Sequence, residues 1–348
     1  MAVIHYHADA GRQAALAALR AELYETEPGS LPRSGNDAER AICGDRRHFA
    51  VFAANRMLGH VTAFVNRDLQ DRDGTPVGAI GDFECVDDAS VASELLGAAI
   101  GWLRMTDGRN RIWGPINFDI WNGYRFMTEG FDTCRFHGEP RNRPYYPTLF
   151  ERSGFEVRQR WTTVEVDGPT VFARLLDGSK DRYRQLIRDG YRFTETDLGH
   201  PATFAGFHRI LERSFSKLLG YTPITRARLK AALATKCRTP DPRIVTLIGD
   251  PHGRQVGFAY AYPDDNAGPT GTGERRAIFY MLGIDAGDGA YNLGLGEAAV
   301  YHTFATCLRA GYRSVVPALM RKASWIKTAA TSNLITARKT YALYEFNS

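Results

Sequence analysis

The apolar residues of this chain follow one layout twice, and the clearest copy lies at Arg276–Tyr312. There, the apolar run Ala277–Ile284 is followed by a turn rich in Gly, Asp and Asn, and then by apolar or small residues at helical spacing. A continuous run of this length predicts a strand covered on both faces, and the spacing predicts a helix that buries one stripe. Gly311 follows as a helix-ending residue. The predicted helix stripe consists of Val300, Phe304, Cys307 and Leu308.

The first part of the chain has the same order of elements. The pattern predicts a hairpin, a third strand, a helix that Asp87, Asp88 or Ser90 can cap, and a fourth strand. The helix stripe repeats at Val91, Leu95, Ala99 and Leu103, and Gly108 follows it. The predicted strands are His48–Asn55, Met57–Asn66, Ala79–Val86 and Arg111–Gly114.

The second copy predicts strands at Arg243–Ile248, Gln255–Tyr262, Ala277–Ile284 and Ser314–Leu319, with a helix from Leu295. The third strands end 198 positions apart, and the two helix-ending glycines lie 203 positions apart. Because sequence identity between the copies is slight, the repeat is a structural inference. It predicts two α/β domains, residues 1–167 (the first half) and 181–348 (the second half).

Composition agrees with two globular domains and excludes several classes of protein. The chain has 348 residues and a net charge of +5 without a long Lys/Arg run, which argues against nucleic acid as a partner. Its five cysteines are far apart, so we expect neither a disulfide framework nor a metal site. No apolar run approaches 18 residues and the N-terminus lacks a signal pattern, so we expect no membrane span and a cytoplasmic protein.

The strand, glycine turn and helix of the second half form an arrangement suited to anions. Glycines let the backbone approach closely, and the first N–H groups of a helix favour negative charge. A dinucleotide site would need G-x-G-x-x-G directly after the strand, and a P-loop would need G-K-[ST]; the turn contains neither. On this segment alone, a plain strand-to-helix turn remains an alternative.

The six residues Tyr291-Asn292-Leu293-Gly294-Leu295-Gly296 resemble the pyrophosphate loop [QR]-x-x-G-x-[GA] of the GNAT superfamily of acyl-CoA N-acyltransferases, with Tyr291 in place of Gln or Arg. Landmarks across the first half are similar to those of the bacterial tandem-GNAT N-acetyltransferases. These landmarks are Asn55–Val61 with Asn66, Gly81–Asp88, Gly114–Phe118 with Gly130–Asp132, and Arg143–Tyr146 leading to Gly154-Phe155. The resemblance implies an α/β class of fold, α+β with a mixed sheet, in two tandem GNAT-type domains.

The resemblance also implies acyl transfer from a thioester to an amine. In this fold the fourth and fifth strands separate, so the free backbone of the fourth strand can pair with a pantetheine arm. That role would fall to Leu282 and Ile284, whereas the loop residues would hold the pyrophosphate. The loop residues are Asn292, Leu293, Gly294, Leu295 and Gly296. In the first half, Asp87 and Asp88 stand at the matching place and would repel phosphates. We therefore expect the second half to bind acetyl-CoA, a longer acyl-CoA or acyl-carrier-protein phosphopantetheine, and the first half to be degenerate.

Candidate side chains for proton transfer are Tyr280 and Asp285 beside the fourth strand of the second half, and Glu84 on the matching strand of the first. For each of these side chains, the alternative to a catalytic role is that it packs in the core or faces solvent. The segment 114–146 is rich in aromatic residues, which either fill a core or line a pocket. Its candidate acceptor-pocket residues are Asn117, Trp121, Tyr124 and Tyr145.

The sequence therefore predicts an N-acyltransferase whose acceptor is the amine of a small molecule, amino acid or peptide. A non-catalytic acyl-CoA-binding or scaffold protein is an alternative, because Tyr291 replaces Gln or Arg and segment 324–332 has no acid tyrosine. A transferase of aminoacyl or peptidyl groups is another, since other tandem GNAT folds take acyl groups from tRNA. That alternative would favour a basic groove or a coiled-coil arm, and the sequence shows neither.

Overall fold

The computed structural model describes residues 2–6, 10–24, 45–167, 177–266, 275–285, 293–321 and 335–347. In the first half these residues form seven strands and three helices. The strands are β1 (Ala2–Tyr6), β2 (Asp45–Ala53), β3 (Arg56–Gln70), β4 (Pro76–Cys85), β5 (Arg111–Gly114), β6 (Phe126–Glu129) and β7 (Glu156–Asp167). The helices are α1 (Ala10–Tyr24), α2 (Ala89–Asp107) and α3 (Tyr146–Arg152).

The described residues of the second half form six strands and four helices. The strands are β8 (Arg192–Glu195), β9 (Val245–Gly249), β10 (Gln255–Pro263), β11 (Arg276–Ile284), β12 (Ser314–Pro317) and β13 (Ile335–Asn347). The helices are α4 (Asp177–Arg188), α5 (Pro201–Phe215), α6 (Arg226–Ala234) and α7 (Leu295–Arg309). The loop predicted at 27–37 lies outside the described residues.

The hydrophobic stripes predict the two long helices after β4 and β11 correctly. In α2 the four predicted stripe residues are fully buried, Asp88 caps the N-terminus, and Gly108 ends the helix with φ +61°. In α7, Val300, Phe304 and Cys307 are buried, and Leu308 packs at the edge of the same core. Both helices pack against their halves of the sheet because their apolar faces can be buried nowhere else.

The strands form one continuous mixed sheet in the order β1-β2-β3-β4-β5-β13-β7-β12-β11-β10-β9-β8, with β6 pairing β13. Two strands cross between the predicted halves. The last strand, β13, lies between β5 and β7, and β7 lies between β13 and β12. Each half of the sheet is therefore completed by a strand from the other half, although the domain limits at 167 and 181 remain a prediction.

The hydrophobic core shows the same exchange of strands between the two halves. From β13, Ala342 and Tyr344 are buried among first-half residues such as Leu95 and Phe150. Tyr341 and Leu343, on the opposite face, are buried with Trp113 and Trp161. A strand buried on both faces and paired on both sides couples the folding of everything that touches it.

Among the described helices, none is long and apolar enough to cross a membrane.

The shared strand β13 yields a stability prediction. Leu343→Ala should lower the free energy of unfolding by about 2–5 kcal/mol, because Leu343 is 1% exposed at the centre of the sheet. Hydrogen exchange should accelerate in both β4 and β11, since the strand belongs to both halves. The control Ile187→Ala, at a 43% exposed position, should change stability by less than about 0.5 kcal/mol. Faster exchange in β4 alone would contradict the coupling.

Candidate functional site

The sheet opens at two equivalent places. The strands β4 and β5 pair in parallel at 77–79 with 111–113, and β11 and β12 pair in parallel at 276–279 with 314–317. The last bonds before each opening run from Ile116 N to Ile80 O (2.8 Å) and from Ala318 N to Phe279 O (2.9 Å). Beyond these bonds the longer strand of each pair continues without its parallel neighbour. The structure therefore has the two strand separations that the resemblance implies.

In the second half, the backbone at the end of β11 faces the opening. Asp285 N donates to Val256 O at 2.8 Å, and Ile284 lies opposite Gly257. Because bonded and non-bonded pairs alternate between antiparallel strands, the N–H and C=O of Ile284 point away from β10 and towards the opening. Within the described part of the chain, no residue bonds to either group.

In the first half, side chains fill the equivalent opening. Val86 N donates to Leu58 O, so Cys85 corresponds to Ile284. Tyr146 Oη accepts from Cys85 N at 3.0 Å, and Tyr145 Oη donates to Cys85 O at 2.8 Å. These bonds occupy the backbone groups that are open in the second half.

Asn117 fills the apex of the first opening. Its Oδ1 accepts from Asp82 N at 2.8 Å, and a Cβ on Gly81 would come within 2.2 Å of the same oxygen. Gly81 is therefore the residue that admits the Asn117 side chain. Gly81 directly follows Ile80, and Tyr280 directly follows Phe279, the residues that form the last bonds before the two openings. Tyr280 therefore occupies in the second half the position that Gly81 occupies in the first.

The two helices that follow the openings begin differently. At α2, Asp88 Oδ1 accepts from Ser90 N and Val91 N, and the Ser90 hydroxyl and both N–H groups hold the pKa of Asp88 below its usual value. At α7, the N-cap residue Gly294 has φ +71° and contributes no side-chain cap. The positive end of α2 is thus neutralised internally by a capping carboxylate, whereas α7 has a glycine at its N-cap and carries its first acidic residue, Glu297, within the first turn.

An arginine lies beside the α7 turn. A Cβ on Gly294 would come within 2.7 Å of Arg182 Nε, which α4 carries. A Cβ on Gly296, two residues further, would come within 3.7 Å of Leu282 Cδ2. Of the predicted loop residues, Leu293 is exposed, Leu295 is buried, and Asn292 lies outside the described residues. The Arg182 charge so close to the turn was not predicted from the sequence.

The carboxylate of Glu84 is enclosed by hydrogen-bond donors. Arg20 Nε donates to Oε1 at 3.1 Å, and the hydroxyls of Tyr24 and Tyr146 donate to Oε2 at 3.1 and 3.0 Å. Burial raises the pKa of Glu84, while Arg20 and the two hydroxyls oppose that shift. Five strand spacings separate β4 from β11, about 24 Å at ordinary sheet geometry. Glu84 therefore does not lie with Tyr280 and Asp285.

Tyr280 and Asp285 lie at opposite ends of the second opening. Asp285 follows β11 and pairs with Arg213 Nη1 at 2.9 Å. Tyr280 lies at the bulge in β11, with its ring against Tyr262 and 5.8 Å from that ring's centre. Lys236 Nζ lies 5.1 Å over the Tyr280 ring. Tyr280 is thus at the apex of the opening and Asp285 at the end next to α7.

The four predicted pocket residues divide into two places. Asn117 and Tyr145 fill the first opening. Trp121 Nε1 donates to Thr222 O at 2.9 Å, and its ring packs edge-on to Tyr221, so it lies against the second half. Tyr124 packs edge-on to Trp161 and lies under the Arg125 guanidinium, 3.8 Å from its ring centre.

Two contributors to these arrangements were missed by sequence reasoning. Tyr146 was part of a landmark, but nothing in the sequence indicated that its hydroxyl joins Cys85 to Glu84. Arg125 was not selected at all, because no motif or spacing distinguishes it from the many other arginines. Tyr124 is its neighbour in sequence, but Trp161, the second ring against it, comes from β7, 36 positions later.

The comparisons with known proteins agree with this geometry. No protein-family model matches the chain. A segment of 102 residues is 31% identical to Protein YghO of Escherichia coli (strain K12); it makes up 29% of this chain and 26% of that relative. The match thus spans about a quarter of the curated relative.

Solved structures match along nearly the whole chain. A tandem GNAT protein from the clavulanic acid biosynthesis pathway is 12% identical, with 99% of this chain and 98% of that chain covered and a TM-score of 0.53. A GCN5-related N-acetyltransferase from Sphaerobacter thermophilus is 13% identical, with 99% and 96% covered and a TM-score of 0.52. One from Anabaena variabilis is 10% identical, with 98% and 72% covered and a TM-score of 0.58.

The chain therefore has the fold of the tandem GCN5-related N-acetyltransferases, which confirms the fold class that the sequence predicted. At these identities the likeness establishes the fold, and the chemistry has to be argued from the residues themselves.

A histidine in the first half gives a prediction for acid stability. His60 is 2% exposed, its Nδ1 lies 2.9 Å from Asp82 O, and it stacks on His48 beside Tyr6. Burial lowers its pKa to about 4, a shift that His48 and Arg20 reinforce and Asp82 opposes.

Because the unfolded chain takes up a proton at this histidine near pH 6.5 and the folded chain only near 4, stability is unaffected above pH 6.5. The free energy of unfolding should fall by about 3 kcal/mol as the pH drops from 6.5 to 4. Urea titrations should show that His60→Gln loses less stability than the wild type between pH 6.5 and 4. The exposed control His252→Gln should follow the wild type, and equal losses in all three proteins would refute the assignment.

Proposed function

We propose that the protein is an N-acyltransferase that binds an acyl-CoA in the opening of its second half. The observation that carries the proposal is the contrast between Ile284, whose backbone faces the opening without a partner among the described residues, and Cys85, whose equivalent groups are bonded to Tyr145 and Tyr146. An extended amide-bearing arm can satisfy open backbone groups as an added strand does. The residues of the second opening fit such a ligand, and those of the first do not.

The phosphate end of the ligand would lie at the start of α7. Leu293, Gly294, Leu295 and Gly296 would supply backbone N–H groups, together with Asn292 of the predicted loop. The helix N-terminus favours an anion, and Arg182 adds a positive charge where the loop itself has Tyr291 instead of Gln or Arg. Leu282 packs beside Gly296 and would flank the arm.

The thioester supplies the activated acyl group, and the chain must position the amine and manage its proton. Of the candidate residues, Tyr280 has the best position, because it lies at the apex of the opening, away from the phosphate end. Asp285 lies at the phosphate end and is paired with Arg213. Glu84 lies in the other half, with both oxygens engaged. We assign Tyr280 the proton-handling role.

The donor is acetyl-CoA or a longer acyl-CoA, or the same pantetheine arm on an acyl carrier protein, and the acceptor is an amine. The first half contributes Trp121 and Tyr124 to the acceptor side, since Trp121 bonds to Thr222 and Tyr124 packs in the cluster that contains Leu319. Asn117 and Tyr145 have a structural role in the first opening. Titration with CoA, acetyl-CoA and a long-chain acyl-CoA, followed by a panel of amines, would test this assignment.

A pair of matched substitutions tests which half binds the ligand. Gly296 and Ser90 are both the second residue of their helices, α7 and α2. Gly296→Asp should weaken CoA binding at least about tenfold, because a carboxylate then faces the pyrophosphate. Folding should not suffer, since Asp is favourable in a first turn and Gly is not.

Ser90→Asp is the control and should leave CoA affinity unchanged. Calorimetry measures both affinities, and thermal unfolding confirms that both variants are folded. If Ser90→Asp weakened binding and Gly296→Asp did not, the ligand would belong to the first half.

The role of Tyr280 is tested separately. Tyr280→Phe should lower kcat at least about tenfold while leaving CoA affinity within twofold, because only the hydroxyl is removed. Tyr145→Phe, the control in the first opening, should keep kcat. Thiol release with the best amine of the panel measures the rate.

Unchanged turnover by Tyr280→Phe would eliminate it as the proton-handling residue. CoA binding by the wild type without turnover of any amine would favour the non-catalytic acyl-CoA-binding alternative.

A further inference from the structure

The guanidinium of Arg125 is buried, and none of the described residues supplies a counter-charge to it. Arg125 is 7% exposed, and its Nε and Nη1 have no hydrogen-bond partner among the described residues. Its backbone has φ +71°, an uncommon conformation for a residue with a side chain, and Arg125 N donates to Pro115 O. The surrounding structure thus holds this residue in a costly conformation with a costly charge.

The other deeply buried cationic side chains of the described residues are all paired. Arg109 pairs with Asp107, Arg276 with Asp264 and Glu165, and Lys339 with Glu139. Within the same part of the chain, Arg125 forms no ion pair. A buried charge without a partner is strongly unfavourable, so an anion is the component that the described residues do not supply to this site.

Two aromatic rings hold the guanidinium in place. Its carbon lies 3.8 Å from the ring centre of Tyr124 and 4.3 Å from that of Trp161, and these rings meet edge to face. Cation–π contacts stabilise the charge on its faces but leave the N–H groups at its edge unsatisfied. An edge-on array of N–H donors matches a carboxylate.

The site lies at the acyl end of the second opening. Leu319 packs in the cluster that contains Tyr124 and Trp161 and also in the cluster that contains Tyr280. Burial raises the pKa of Tyr124, Arg125 lowers it, and Tyr280 raises it further, as expected for phenols within electrostatic reach. From Tyr280 to Ile284, β11 extends about 13 Å towards α7. The phosphates of a bound CoA would therefore lie away from Arg125.

Arg321, which follows β12, adds positive charge near the site. Segment 321–340 contains five Lys or Arg residues and no Asp or Glu, and Arg321 is close enough to lower the pKa of the Tyr124 phenol. No carboxylate of this segment can therefore neutralise Arg125. A ligand can supply the counter-charge that the described residues do not provide.

We propose that Arg125 binds a carboxylate of the substrate, and that this carboxylate belongs to the acceptor, which makes the acceptor an amino acid or a compound with an equivalent acid group. The proposal rests on the proposed function for the identity of the acceptor, whereas the anion site rests on Arg125 itself. A carboxylate on the acyl group of the donor is the second source of the same chemistry.

The experiment measures binding with matched probes. N-acetyl derivatives of glycine, alanine, leucine, methionine and phenylalanine are compared with their amides by ligand-observed NMR, in the full chain with CoA present and absent. The acids should bind at least about tenfold more tightly than the amides. Arg125→Met should abolish that preference and Arg125→Lys should reduce it, because Lys lacks the two-pronged donor.

A second set of titrations distinguishes the source of the carboxylate. Succinyl-CoA is compared with acetyl-CoA in the same variants. A preference for succinyl-CoA that Arg125→Met removes would place the carboxylate on the acyl group. The control Arg47→Met removes an arginine that lies 5.9 Å over the Trp102 ring in the first half, and it should change neither preference.

Thermal unfolding decides whether the variants can be interpreted. Arg125→Met removes an uncompensated charge without orphaning a partner, so it should remain folded; if it does not, Arg125→Lys alone decides. The proposal is wrong if the wild type prefers neither the acid probes nor succinyl-CoA. It is also wrong if such a preference survives in the Arg125 variants. Preference for the acids without any CoA binding would keep the Arg125 site and reject the proposed CoA site of the second half.

Discussion

The structure depends on how its separated strands satisfy their backbone hydrogen bonds. A parallel strand that leaves its neighbour exposes N–H and C=O groups, which need other partners. In the first half, Tyr145, Tyr146 and Asn117 supply those partners, and the result is a closed core. In the second half the corresponding groups of Ile284 face the opening. The same constraint is met in two ways: the protein's own side chains fill the first opening, and in our proposal a ligand fills the second.

The exchange of strands explains why the filled half can contribute to the open one. Since β13 of the second half lies between β5 and β7 of the first, and β7 lies between β13 and β12 of the second, the two openings belong to one sheet. The first-half loop after β5 then reaches the second half, where Asp119 pairs with Arg228 at 2.9 Å and Trp121 bonds to Thr222. These bonds help to hold Tyr124 in the cluster that contains Leu319, just after β12. The first half would then provide walls for a site whose ligand lies in the second.

The sequence predicted local structure well and long-range structure poorly. The stripes of α2 and α7, their glycine ends and most strands follow from periodicity, which is a local property. The position of β13 does not, because strand order depends on contacts between residues hundreds of positions apart. Glu84 was correctly placed on β4, but its enclosure by Arg20 and Tyr24 involves residues about 60 positions earlier. Arg125 is distinguished only by its burial, which arises from packing between distant segments.

The register of the openings also limits where a base can come from. Cys85 corresponds to Ile284, so Glu84 corresponds to Gly283. A Cβ on Gly283 would come within 2.4 Å of Phe258 and 2.5 Å of Ser214 Oγ, so the second half has no room for a carboxylate at that position. The first half has a carboxylate at this position, but its opening is filled. The second half has an unfilled opening, but it has a glycine at this position. In our proposal, proton transfer in the second half therefore uses another group, and that group is Tyr280 at the apex of the opening.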